Sequence, residues 1–282
     1  MTLDNSTITI LASVAGVAGF IYLVIFGSRS LMDLIQRRRR SARGDYRRTH
    51  RQRLSYLSKA TGHLELVDKL WSREEYSILF HSFNNPEPGE FEEIVNYNAV
   101  RAIAALTNFF IPTGIKYELI SSRQSDVDLT ANLVLVGSSA SNRITDRLER
   151  EYQNVFHYRC HFDKTSMSDR HVIDNIKGTK YSSEFNGAAL VKDCGVITKV
   201  PNPFNPDADI IMLTGNYGFG TLGAALLSVN GELLKTIDRQ MDLTKPSQIV
   251  CSIPVFGSFV SCQPTIYAFG NLSINQVAPL SA

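Results

Sequence analysis

Apolar positions along this chain change period several times, and each change marks an element. Residues 8–26 pass without a single charge, nineteen in a row, about the length at which a helix crosses the hydrocarbon core of a bilayer. After a strongly basic stretch the pattern breaks into short pieces. Residues 54–76 read as a linker that ends in a helix or turn, with Trp71 as an anchor against the domain. Residues 77–83 (SILFHSF), 116–120 (KYELI) and 131–136 (ANLVLV) read as strands, and the last is continuously apolar, as a central strand of a parallel sheet would be. Between them, Ile94, Val100, Ile103, Ala104 and Leu106 recur at helical spacing, which predicts a long helix over 91–110 that Pro112 and Gly114 stop. A second helix is predicted to end at Tyr152 (RITDRLEREY), and residues 156–162 alternate as a strand. Residues 187–200 read as a hairpin turning at 192–195, with Asp193 near its tip. The apolar run 210–213 is a further strand, a small-residue helix comes after it from Thr221, and three β-prone stretches (248–254, 257–262, 265–269) extend or cap the sheet.

Charge adds orientation. Residues 1–53 carry ten arginines against Asp4, Asp33 and Asp45, a balance of +7, while the remainder holds 19 basic and 24 acidic residues. The arginines come after the apolar run instead of preceding it, so the run is a single-pass anchor and not a cleaved signal. The positive-inside rule then puts the N-terminus outside and the C-terminal body in the cytoplasm, at an inner or plasma membrane. Ala12 and Gly16, and likewise Ala15 and Gly19, stand four apart, a spacing that lets such helices approach one another. The arginines themselves suit anionic lipid headgroups. A mildly acidic body is a poor match to a phosphate backbone, and no nucleic-acid partner is expected. Four scattered cysteines without a CxxC pair suit a reducing compartment.

Two turns carry the candidate chemistry. In the first, a strand runs into Gly137, Ser138, Ser139 and Asn142 and then a helix; in the second, it runs into Gly215, Asn216, Gly218, Gly220 and Thr221 and then a helix. Glycines let a ligand come close to main-chain N–H groups, and a helix start offers free N–H groups and a positive dipole end to an anion. Residues 201–206 (PNPFNP) form a stiff loop that holds the amides of Asn202 and Asn205 in set directions, closing on the second turn from the side. The chain is thus expected to be α/β. A transmembrane anchor spans 1–28 and an Arg-rich neck and linker spans 29–76. A Rossmann-like, mostly parallel sheet domain with antiparallel additions at its C-terminal end spans 77–282.

Signals for catalysis are weaker. His157, Cys160 and His161 give only two same-side ligands on a strand. Asp126 with Asp128, and Asp207 with Asp209, are D-x-D pairs that either hold a cation with substrate phosphates or serve as solvated turn residues. Neither G-x-S-x-G, nor a Walker A sequence, nor HExxH is present.

The two strand–turn–helix units resemble those of the Smf/Lonely-Guy (SLOG) superfamily of nucleotide-binding domains. Gly218, Gly220 and Thr221 match the glycine–threonine core of the Lonely-Guy signature, whereas Gly223 and Ala224 stand where its acidic catalytic residue would be. The resemblance implies a phosphate cradle without the catalytic acid. Over residues 77–270 the run NLVLVGS, the PNPFNP loop and the G-x-x-G-x-G-T turn are also similar to an uncharacterised bacterial Rossmann-like domain. SLOG and CARF domains fused to a transmembrane segment resemble the sensors of antiphage nucleotide signalling. The function implied is a membrane-tethered sensor and effector that binds a nucleotide-like small molecule and signals to its helix by homo-oligomerisation, with no other cofactor. The alternatives are a membrane-anchored nucleotide or glycosyl hydrolase using Asp207 or Asp209, and a structural membrane assembly protein.

Overall fold

The structure, a computed structural model, describes residues 63–84, 93–162, 170–257, 259–260 and 263–274, all within the second of two compact units, 53–282. The predicted anchor and its arginine-rich neck lie outside the described residues. Among the described residues no helix is long and apolar enough to cross a membrane.

The unit is a mixed α/β fold built on one large sheet. Strands β1 (Glu75–Phe80), β4 (Lys116–Ser121), β5 (Leu133–Val136) and β11 (Asn205–Gly215) run parallel, in the order β4-β1-β5-β11. Beyond β11 the sheet continues antiparallel through β10 (Ala189–Asn202) and β12 (Ser247–Phe256). The outer side of β12 carries β13 (Phe259–Val260) and β14 (Thr265–Asn271), and short β9 (Glu184–Asn186) pairs with β10. The four residues of β5 are all buried because both faces of the sheet are covered.

On one face lie α1 (Leu64–Leu70), α2 (Tyr97–Thr113), α4 (Gly218–Ser228) and α5 (Gly231–Asp238), packed on Ile78, Val134, Ile211, Leu213 and Ile249. The other face is covered by α3 (Arg143–Glu151) over Leu133, Ile210 and Met212. Beside it a small antiparallel sheet covers Cys194, Val196 and Val250; its strands are β6 (Tyr158–Phe162), β7 (Arg170–Asp174) and β8 (Lys180–Ser182). A separate two-stranded ribbon, β2 (Ser82–Asn84) with β3 (Glu93–Val95), precedes α2. Strand alternation explains the division: along β11, Ile210 and Met212 face one way, Ile211 and Leu213 the other.

Trp71 does anchor the segment before β1. Its indole N–H donates to the Ser228 carbonyl at 2.8 Å, and its ring meets Tyr76 and Phe110 edge-on at 5.5 and 5.0 Å. Helix α2 runs through Pro112 to Thr113 and ends at Gly114, whose φ of 81° is the left-handed cap that glycine adopts without strain.

Three readings change. The helix expected over 91–110 begins only at Tyr97, behind the Asn96 cap, and Glu93–Val95 form strand β3 instead. The hairpin expected at 192–195 does not form: β10 runs unbroken through these residues, and the chain turns before it, at Gly187 and Ala188, where Gly187 has a φ of 60°. The PNPFNP stretch is likewise no loop beside the glycine turn. Asn202 pairs with Asn205, so Pro203 and Phe204 alone connect β10 to β11 as a tight hairpin.

Candidate functional site

Ligands of open α/β sheets sit outside the carboxyl ends of the parallel strands, where successive helices leave to opposite faces. Here that place is the end of β5 and β11, since α3 leaves β5 toward one face and α4 leaves β11 toward the other. Both glycine turns meet there: Gly137 donates its N–H to the Leu213 carbonyl at 3.0 Å.

The first turn is committed largely to its own helix. Asn142 is fully buried and caps α3, its Oδ1 accepting from the N–H groups of Ile144 and Thr145 at 3.0 and 3.3 Å. The Ser138 carbonyl accepts from the N–H groups of Ser141 and Asn142. The Ser139 hydroxyl bonds the carboxyl of Glu149, a buried acid on α3 that desolvation pushes up to about 7.

At the second turn the glycines serve close packing. A Cβ on Gly215 would stand 2.3 Å from the Thr221 nitrogen. On Gly220 it would stand 2.0 Å from the Cys194 carbonyl oxygen, and on Gly195, in mid-strand, 2.1 Å from the Gly220 carbonyl oxygen. Helix α4 therefore crosses β10 and β11 at backbone contact. Its anion position is occupied by the protein itself. The carboxylate of Asp193, fully buried on β10, accepts the backbone N–H groups of Gly220, Tyr217 and Cys194 and the Ser183 hydroxyl. Burial nevertheless pushes this carboxyl up to about 6. Gly218 packs against the head of α2, a Cβ there lying 3.0 Å from the Asn98 Cβ, and Thr221 is buried.

Around this corner stands a group that the turns alone did not reveal. The Arg170 guanidinium lies over the Tyr217 ring at 4.8 Å and over Phe162 at 5.6 Å, and Phe185, 46% exposed, meets Tyr217 edge-on at 5.6 Å. Arg170 also donates to the Asn216 carbonyl at 3.4 Å. Asn216 is fully buried and gives its Nδ2 to the Tyr181 carbonyl and the Ser183 hydroxyl, while its Oδ1 has no hydrogen-bond partner. The sequence signal for this group was thin: an arginine and three aromatics spread over 56 positions, joined only by β-pairing.

Asn202 and Asn205 are not brought to this corner. They sit at the amino end of β11, ten residues from Gly215, or about 33 Å of strand. There Asn202 donates to the carbonyls of Leu129 and Ala131, and Asn205 to that of Thr130. Both tie the β10–β11 hairpin to the approach of β5.

Asp207 stands exposed near the start of β11, while two other acids and three cysteines are engaged or buried. Asp209 takes a two-pronged ion pair from Arg73, at 2.7 and 3.2 Å, and Asp128 closes a turn on Thr130. Cys160, Cys194 and Cys251 are free and buried, and desolvation drives their thiols upward, Cys194 to about 12. On β6, Cys160 faces inward toward Thr214 while His161 is exposed and its ring lies tilted against that of His171 at 4.9 Å across the strand pair, so no three-ligand fragment forms. Among the described residues no three His, Cys, Asp or Glu side chains stand together as metal ligands. No protein-family model matches the chain, and no curated protein does.

Proposed function

We propose that this chain is a membrane-tethered cytoplasmic sensor and effector: a Rossmann-like body binds a nucleotide-derived small molecule, and self-association passes the signal to a single transmembrane helix with its N-terminus outside. Antiphage nucleotide signalling is the setting that the SLOG-like turns suggest. The observation that carries the reading is the corner at the head of α4, where Arg170, Tyr217 and the exposed Phe185 ring adjoin the unpartnered Oδ1 of Asn216 at the carboxyl end of β11. The exposed Phe185 ring offers a stacking face to a base, and Arg170 offers a cation to a phosphate. The ligand can drive a change in assembly only through different affinity for two states of it.

The test is a thermal-shift screen of the full chain in detergent against cyclic oligonucleotides, ADP-ribose derivatives and mononucleotides. A ligand at a hundred times its Kd adds about 2.7 kcal/mol of stability. Phe185→Ala removes an exposed ring and leaves the core intact, and it should weaken binding by about 1–3 kcal/mol, the range measured for base–aromatic stacking. Stabilisation by none of these compounds overturns the reading, as does a ligand whose affinity ignores Phe185.

A further inference from the structure

A second site lies at the other end of the small sheet. Strands β6 and β7 pair from Tyr158–Asp174 at one end to Phe162–Arg170 at the other, so the corner described above adjoins one end of this hairpin. At the opposite end the chain leaving α3, the turn after β7 and Ser273 enclose a groove of about 500 Å³. That volume falls in the range that accepts small molecules.

The lining of this groove is chemically lopsided. It holds the side chains of Arg159 and His157 and the amides of Gln153, Asn154 and Asn175, and no carboxylate. Phe156, its ring stacked on Tyr152 at 5.5 Å, is buried in the core beneath it, and Ile176, 68% exposed, stands on the rim. Tyr158 and Cys160 on either side of Arg159 point into the core, so alternation turns Arg159 the other way. Its Nε–H is buried and has no hydrogen-bond partner. Leaving a charged donor so placed is costly, and a guanidinium fork is relieved best by two coplanar oxygens. The acid nearest in effect, Glu149, bonds Ser139, and Arg159 acts on it through space and not by a hydrogen bond from Nε.

We propose that this groove is a binding site for a small oxyanion on an apolar body, a carboxylate or a phosphate monoester, with Arg159 as the group that grips the oxyanion and Ile176 as the apolar contact at the rim. The site is independent of the α4 corner and shares no residue with it.

The experiment is calorimetric titration of the full chain in detergent with two probes, adenosine monophosphate for the phosphate arm and benzoate for the carboxylate arm. Titrations are made in the Phe185→Ala background, so that the other corner does not contribute. At least one probe should bind. Arg159→Ala should weaken it by tenfold or more, and Arg159→Lys, which keeps the charge and loses the fork, should also weaken it. Ile176→Trp, a change at an exposed rim position, should block the groove with no loss of fold, and it carries the test alone if Arg159→Ala fails to fold. Binding of neither probe up to about 10 mM overturns the proposal. An affinity that Arg159→Ala and Ile176→Trp leave unchanged overturns it equally.

Discussion

Gly220→Ala and Gly223→Ala make a matched pair within one helix. Both positions lie inside α4, and in an exposed helix either change would gain about 1 kcal/mol from helix propensity. Their surroundings differ. A Cβ on Gly223 meets the Cβ and Cγ2 of Ile253 at 3.1 Å, which a shift of a few tenths of an ångström relieves. A Cβ on Gly220 meets the Cys194 carbonyl oxygen at 2.0 Å and its carbon at 2.7 Å, and this backbone is held on both sides by β11 and β12. Restoring an ordinary contact requires the helix to rise about 1.4 Å from the sheet. That movement loosens Leu222, Ala224 and Ala225 and pulls the Gly220 N–H from the buried Asp193 carboxylate. Overpacking costs about 1–3 kcal/mol and the lost charged hydrogen bond about 1.5–3, so after the propensity gain Gly220→Ala should lose roughly 3 kcal/mol. In a domain of this size the Tm falls by about 6–12 °C. Gly223→Ala should stay within about 1 kcal/mol of the parent. Thermal denaturation of the full chain in detergent, followed by circular dichroism, reads both. Equal stability of the two variants refutes the packing argument and returns Gly220 to direct ligand contact as its reason for being glycine.

The buried acids give signed pH effects. Asp193 is raised from 3.8 to about 6, so its stabilising share is full below pH 3.8 and is lost as pH rises through 6. The difference in unfolding free energy between the parent and Asp193→Asn should therefore shrink by up to about 3 kcal/mol between pH 4 and 7, and denaturant titrations that give a constant difference contradict this. Glu149 is raised from 4.5 to about 7 with the same sign, and Glu149→Gln should remove a comparable pH dependence in the window 4.5–7, with the Ser139 contact kept by the amide. Trp71→Phe keeps the aromatic cluster but leaves the Ser228 carbonyl without its indole donor, at a cost of about 1–3 kcal/mol read as a lower denaturation midpoint with an unchanged slope.

How much of this fold was legible in the sequence depends on the range of the forces involved. The parallel strands β1, β4 and β5 and helices α2 and α3 are set by local periodicity, because each buries a face whose spacing is written in consecutive residues. The hairpin predicted at 192–195 failed for a different reason. Asp-Cys-Gly is a turn signal when read locally, but here Asp193 answers the head of a helix 27 positions on, and Gly195 makes room for that helix to touch the strand. Prolines at 201, 203 and 206 suggest a longer loop than the two-residue turn that forms, since β10–β11 pairing overrides them from both sides. Strands β7, β8 and β9 carry no such local signal, whereas α5 does, in its Asn230 cap and the spacing of Leu234 and Ile237. The first three are short and take their shape from one another and from β10.

A glycine turn before a helix is informative only in part. G-x-x-G-x-G-T fixes a backbone that approaches something closely and a helix head that attracts negative charge, and the pattern is silent on whether these are a ligand's phosphate or the protein's own carboxylate. In this chain the close approach is to β10 and the charge is that of Asp193, which four donors hold. A phosphate at the head of α4 would have to expel that carboxylate from four hydrogen bonds at once. On the proposed reading a ligand meets less resistance one step outward, at the cluster of the Tyr217 and Phe185 rings and the Arg170 guanidinium. The glycines therefore place the corner by fixing where α4 meets the sheet, and the side chains around it supply whatever chemistry of recognition it has.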